Sequence, residues 1–97
     1  MGDMKRLASQ SGATAIPKRL VLYKFDSCPY CRAVMRTIDD LRIDVVYRDT
    51  RRDPEARREL TQIGGKSQVP CLIIDGVPLY ESRDIIAFLQ KLRRDTR

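Results

Sequence analysis

The 97 residues of the chain suffice for one compact domain and leave no room for a second of the usual size, about 100 to 150 residues. Three cysteines without a histidine cannot supply the ligands of a standard zinc site, and an odd set with two members three positions apart suits a reducing compartment better than a disulfide framework. The formal charge of +6 rests on arginine pairs, Arg51-Arg52, Arg57-Arg58 and Arg93-Arg94, that Asp53, Glu55, Glu59 and Asp95 break up without interleaved aromatics, a pattern of solvated helix faces and not of a nucleic-acid site.

Residues 1–18 mix Ser, Gln, Gly, Ala and Lys with no sustained apolar period and read as a flexible arm, which leaves 19–97 as the folded domain. Leu20 to Phe25 is a nearly continuous apolar run, the signature of a strand buried on both faces. Asp26-Ser27 ends it. Pro29 then stands at a first helical turn, where its missing amide hydrogen costs nothing, and Cys31, Val34, Met35, Ile38 and Leu41 give the apolar stripe of a helix over Pro29 to Leu41. Ile43 to Tyr47 reads as a second strand. Strand, helix and strand in this order make a right-handed parallel crossover, which puts the turn after the first strand at the ligand-binding edge of the sheet. Asp53-Pro54 starts a second helix that runs to about Ile63 and stops at Gly64-Gly65. Val69 to Ile74 is a third strand, Asp75-Gly76 a hairpin turn and Val77 to Tyr80 an antiparallel fourth. Ser82 can cap a last helix whose stripe is Ile85, Ile86, Leu89 and Leu92 and which ends among Lys91, Arg93 and Arg94. No apolar run approaches the roughly 20 residues of a membrane span, and Met1 to Pro17 lacks the apolar segment of a signal peptide, so a soluble, cytoplasmic protein with no membrane or nucleic-acid partner is expected.

The chemistry concentrates at Cys28-Pro29-Tyr30-Cys31. A C-x-x-C pair that follows a buried strand and opens a helix inside a parallel crossover is a redox arrangement rather than a metal one. Cys28 falls at or beside the helix cap, where free backbone amides and the positive end of the helix dipole favour the attacking thiolate. Cys31 lies about one turn further on, near enough to attack a mixed disulfide at Cys28 yet turned toward the protein, the position of a resolving thiol. Cys71, beside Pro70, reads as a core strand residue.

Cys28-Pro29-Tyr30-Cys31 after a strand containing Tyr23, with Val69-Pro70, Asp75-Gly76 and Glu81-Ser82 downstream, resembles a dithiol glutaredoxin over about Leu20 to Leu92. The resemblance implies an α/β thioredoxin fold, a four-stranded mixed sheet in the order 2-1-3-4 flanked by three helices, with Pro70 cis and lying against the thiols. It also implies glutathione as co-substrate, with no permanently bound cofactor and no metal. Tyr30, Gln68, Val69, Pro70, Glu81 and Ser82 would then surround the tripeptide: the Val69 backbone pairing with its cysteine part as an added strand, Ser82 and the first amides of the last helix holding the α-carboxylate, and Glu81 or Asp84 facing the α-amine. Ser82 with Asp84 suits a plain helix cap as well. The stretch from Val69 to Ile85 is equally similar to the amino-terminal half of a glutathione transferase, which needs a second, helical domain; this chain stops at Arg97, so transferase activity is not expected. One position departs from the glutaredoxin pattern. Where that family places a Lys or Arg three residues before the first cysteine, this chain has Phe25, with Lys24 on the opposite face of the strand, so that either a short bulge turns Lys24 into place or Arg48, Arg51 or Arg58 meets the glycyl carboxylate.

The function expected is glutathione-dependent reduction of protein-glutathione mixed disulfides and protein disulfides by a monomer whose partners are glutathione and the disulfide-bearing proteins. The alternatives are a thioredoxin-like carrier reduced by a flavoprotein reductase, a scaffold holding an iron-sulfur cluster between two chains through Cys28 and glutathione, and a binding module that uses its basic faces.

Overall fold

The structure, a computed structural model, describes residues 16–96. Four strands, β1 (Leu20–Lys24), β2 (Val46–Asp49), β3 (Cys71–Ile74) and β4 (Val77–Tyr80), form one sheet in the order β2-β1-β3-β4. The sheet is mixed: β2 runs parallel to β1, while β3 pairs antiparallel with both β1 and β4. Helices α1 (Pro29–Leu41) and α3 (Ser82–Asp95) share one face and α2 (Pro54–Gly64) covers part of the other. This is the thioredoxin fold with the 2-1-3-4 strand order expected from the sequence.

The central strand is apolar on both sides because it is covered on both sides. Leu20 and Leu22 point into a cluster with Val34 and Ile38 of α1, Leu72 of β3, and Ile85, Leu89 and Leu92 of α3. Val21 and Tyr23 alternate to the other face and meet Ala56 and Leu60 of α2 with Cys71 and Ile73 of β3. The first strand ends at Lys24, one residue short of the span expected, and Phe25 starts the turn that leads to α1.

Helix α1 has the expected limits. Pro29 opens it, and its far end closes on Arg42 at φ 55°, whose amide donates to the Ile38 and Asp39 carbonyls. The guanidinium of Arg93 donates to the carbonyls of Leu41 (2.8 Å) and Arg42 (2.7 Å), so a cation sits on the negative end of the α1 dipole and ties α1 to α3.

The second strand is displaced from the expected Ile43–Tyr47 to Val46–Asp49. Ile43 and Val45 are apolar because they pack on the α1/α3 core from the connection, and the ladder begins only where Val46 comes opposite Val21. The third strand likewise starts at Cys71 instead of Val69, since Val69-Pro70, joined by a cis bond, precedes the ladder and proline has no amide to give it. Helix α2 runs one residue beyond Ile63, to Gly64, and Gly65 closes it at φ 80°. Asp75 (φ 47°) and Gly76 (φ 90°) both take the left-handed conformation that a two-residue hairpin turn requires.

Ser82 is the first helical residue of α3 and not its cap. Glu81 occupies the cap position at φ 72°, outside the extended range from which a side chain reaches the first turn, and no side-chain cap bond forms. Of the arm expected over residues 1–18, residues 1–15 lie outside the described residues. At its near end the amides of Lys18 and Arg19 donate to the Asp75 carboxylate at 3.2 and 2.8 Å. No helix among the described residues is long and apolar enough to cross a membrane.

Candidate active site

Cys28 is the cap of α1, with extended backbone angles (φ −80°, ψ 116°), and its Sγ accepts the Cys31 amide at 3.2 Å. The turn that carries it is closed by the Cys28 amide donating to the Phe25 carbonyl at 3.2 Å. A sulfur in this position receives a first-turn amide and lies at the positive end of the helix dipole. Cys28 retains 7% of its exposure, whereas Cys31 has none. Burial, followed by the hydrogen bond to the Cys28 sulfur, pushes the Cys31 thiol up to about 12, while the Phe25 backbone and the Lys24 charge act weakly in the other direction. The pair is therefore unequal: Cys28 on the helix cap keeps a little exposure, and Cys31 is fully buried and holds its proton at neutral pH.

The antiparallel register sets Cys71 opposite Tyr23, so the residues before Cys71 run back past the end of β1 toward the Cys28 turn. Tyr30, Gln68, Val69, Pro70, Glu81 and Ser82 line one cleft of about 420 Å³. The six positions come from three separate segments, the start of α1, the α2–β3 loop and the β4–α3 junction. Across the cleft Gln68 Nε2 donates to Glu81 Oε2 at 3.3 Å, and the Tyr30 ring, 66% exposed, stands at the rim. Pro70 is buried, Val69 and Ser82 are half-buried, and Gln68 and Glu81 are exposed. A larger cavity, about 650 Å³, lies on the α2 side among Val21, Val46, Ile63 and Ile73 and contains neither active-site cysteine.

The three arginines weighed for the glycyl carboxylate are in different circumstances. Arg48 is occupied, bidentate to Glu59 (3.0 and 2.8 Å) and paired with Asp53 at 3.2 Å. Arg58 pairs with Glu55 one helical turn away. Arg51 makes no carboxylate pair among the described residues; its guanidinium lies over the Phe25 ring at 3.9 Å, and Nη1 donates to Ser27 Oγ at 3.3 Å. Lys24 is spent on Asp26 (2.7 Å) and Asp49 (3.5 Å). Ser27 was missed in the sequence, where it is one of two small polar residues ending a strand, and nothing in its spacing marks it.

Cys71 is fully buried between Tyr23 and Tyr80 on neighbouring strands, and burial pushes its thiol up. It stands in the core, as its strand context suggested.

The glutaredoxin family model matches residues 20–79. Among solved structures the chain is similar to an epsilon-class glutathione S-transferase from the housefly Musca domestica, at 29% identity and a TM-score of 0.67 over 79% of this chain and 37% of that one. It is similar also to the glutathione S-transferase isozyme E7 of Drosophila melanogaster, at 31% identity and a TM-score of 0.61 over 75% of this chain and 34% of that one. A thioredoxin-like protein at 24% identity shares the fold, with a TM-score of 0.67 over 76% of this chain and 97% of its own. The chain thus spans little more than a third of the length of these transferases. No curated protein matches the sequence.

Proposed function

The chain belongs to the glutaredoxin family, and from that premise we propose that it reduces protein-glutathione mixed disulfides and protein disulfides, with glutathione as the electron donor. Family and fold give it a thiol-disulfide oxidoreductase or glutathione-related role. The observation that carries the finer reading is the placement of Cys28 Sγ on the cap of α1, accepting a first-turn amide, at the end of β1 toward which the Val69-Pro70 segment runs.

In the proposed cycle the Cys28 thiolate attacks the glutathionyl sulfur of a mixed disulfide, and the electron pair of the broken S–S bond leaves on the protein thiol. A second glutathione thiolate then attacks the Cys28-bound sulfur, releasing oxidised glutathione and restoring Cys28. Protein disulfides take the other branch: Cys28 forms the mixed disulfide with the substrate, and Cys31 expels the reduced product, leaving a Cys28–Cys31 disulfide that two glutathione molecules reduce with release of oxidised glutathione. Burial, and after it the hydrogen bond with the Cys28 sulfur, holds the Cys31 proton in the resting state, and the second of these influences goes once Cys28 is bonded in the mixed disulfide. Glutathione docks along the cleft, its cysteine part on the Val69 backbone and its γ-glutamyl end at Ser82 and the first amides of α3, with Glu81 near the amine. No permanently bound group is required.

The test is glutathione-dependent reduction of a small mixed disulfide, coupled to glutathione reductase. Turnover disappears in Cys28→Ser and survives at least in part in Cys31→Ser, because the mixed-disulfide branch uses a single protein thiol. A wild-type protein that turns over no substrate with glutathione and its reductase in excess refutes the proposal.

A further inference from the structure

The loop between α2 and β3, residues 65–70, begins and ends on one side chain. At its near end Gly64, the last residue of α2, sits so close to the Tyr80 hydroxyl that a Cβ would run into the oxygen. At its far end Cys71, the first residue of β3, pairs with Tyr80 across the β3–β4 ladder. Between the two, Lys66 Nζ lies over the Tyr80 ring at 4.4 Å. The residue after Tyr80 continues the pattern, for Glu81, at φ 72°, accepts a hydrogen bond from Gln68 Nε2 at 3.3 Å. Gly64, Lys66 and Gln68, alternate residues of one segment, thus rest on two consecutive residues at the β4–α3 junction.

For packing alone any large apolar side chain would serve at Tyr80, which is half-buried at the end of an edge strand. Its hydroxyl is buried without a hydrogen-bond partner among the described residues, so the position uses the ring and gains nothing from the oxygen. Lys66 is exposed and makes no ion pair among the described residues, and the ring face is what keeps its cation from turning into water. The loop has little else to hold it, since residues 65–68 are all exposed. Yet Gln68, Val69 and Pro70 form one wall of the cleft, and Glu81 and Ser82 at the junction form another. The Tyr80 ring stands behind both.

We propose that Tyr80 is a positioning residue for the thiol co-substrate: together with Lys66 it ties the α2–β3 loop to the β4–α3 junction, so that the Val69 backbone and the first amides of α3 are presented at one fixed spacing. The kinetic consequence rests on glutathione being the co-substrate. A tripeptide that meets two walls already fixed does not have to order the loop as it binds, and that saving appears as affinity. The effect therefore falls on KM and leaves the attack at Cys28 alone, because the sulfur is held by a different element, the cap of α1.

The experiment measures kcat and KM for a small glutathione mixed disulfide in the coupled assay, beside backbone amide order parameters of residues 65–69 in the protein without glutathione. In the wild type the loop has the order of rigid backbone, about 0.85. Lys66→Ala lowers the loop values toward about 0.6, leaves those of α1 unchanged, and raises KM roughly two- to fivefold at constant kcat, the scale of one exposed cation–π contact. Lys66→Arg retains wild-type behaviour, since a guanidinium stacks on a ring as well as an ammonium does. Tyr80→Leu replaces the ring by an aliphatic side chain with no face for the cation and raises KM further, roughly tenfold. Tyr80→Phe keeps the ring and the wild-type KM. Lys66→Ala is an exposed substitution that does not threaten the fold, and it decides the matter: wild-type loop order, a wild-type KM, or a loss confined to kcat overturns the assignment. So does a Tyr80→Phe protein that behaves as Tyr80→Leu does. In each of these cases turnover by the wild type leaves the proposed function standing. A wild type that turns over no glutathione substrate removes that function, and the order parameters alone then decide the tie: a loosened loop in Lys66→Ala keeps it, and an unchanged one removes it.

Discussion

The two faces of the sheet are built on different terms. On the α1/α3 face Leu20, Leu22, Val34, Ile38, Leu72, Ile85, Leu89 and Leu92 make a dry aliphatic core under two helices. The opposite face has one helix, and its core mixes Val21, Ala56, Leu60 and Ile73 with Tyr23 and Cys71. There the Tyr23 hydroxyl donates to Glu59 at 3.0 Å, Glu59 is gripped by Arg48, and the Tyr80 hydroxyl is buried with no hydrogen-bond partner among the described residues. The 650 Å³ cavity opens beside this cluster. The aliphatic face supports α1, whose first turn must hold Cys28 and Cys31 in register. The mixed face supports the β2–α2 turn, and there polar contacts set the geometry that packing sets on the other side.

The contrast can be broken most forcefully at Leu89, which is fully buried. Leu89→Ala is expected to cost about 3 to 4 kcal/mol in a chemical denaturation experiment, while Leu60→Ala on the α2 face costs about 2 to 3, because the adjoining cavity lets side chains and water relax into the space. Equal losses would mean that the two faces are equally rigid.

A smaller effect is expected at Gly64. A Cβ there would run into the Tyr80 hydroxyl oxygen and lie 3.0 Å from Cζ. Gly64→Ala therefore has to displace the Tyr80 ring, at about 2 kcal/mol. Tyr80→Phe alone is neutral or stabilising by up to about 1 kcal/mol, since it removes a buried hydroxyl without a partner, and it relieves part of the Gly64→Ala loss. Strict additivity in the double variant would show that the two positions do not touch.

The smallest effect concerns acid. The hydrogen bonds from Arg48 and then from Tyr23 hold the Glu59 carboxyl below its ordinary value of 4.5. Its folded value is thus below its unfolded one, so the stabilisation is complete above the unfolded value and is lost as the pH falls through the folded one. Thermal melting between pH 7 and pH 3 is expected to show a shallower acid decline in Glu59→Gln than in the wild type. Parallel declines would mean that other carboxylates, Asp49 among them, set the acid limb.

The helices were legible in the sequence because their signals are local. Pro29 and Pro54 mark starts, Gly65 marks a stop, and the stripe of α3 needs nothing but spacing. The strand order followed from the resemblance, and the crossover rule gave the parallel pairing of the first two strands. Boundaries failed where tertiary packing overrode pattern: Ile43 and Val45 look like strand residues because the α1/α3 core uses them, not because they pair. The positive φ of Glu81 has no local signature, and it displaced the cap expected at Ser82. At the site, the cysteine pair was legible as a motif at a helix start, and the six cleft positions came from the family resemblance; the structure brings the six together in one cleft. The Arg51–Phe25 stack was not legible, because residues from two loops meet only once β2 has docked on β1.

The clamp at Asp75 reaches beyond stability. By holding the amides of Lys18 and Arg19 it fixes where the chain enters the fold, at the foot of β1, while the Cys28 turn leaves from the other end of that strand about 16 Å away. A surface tether, fluorophore or fused carrier joined ahead of Lys18 therefore departs from the pole remote from the thiols. The protein can be immobilised on an electrode or grafted onto a sensor by that side with the end of β1 that carries the Cys28 turn left uncovered.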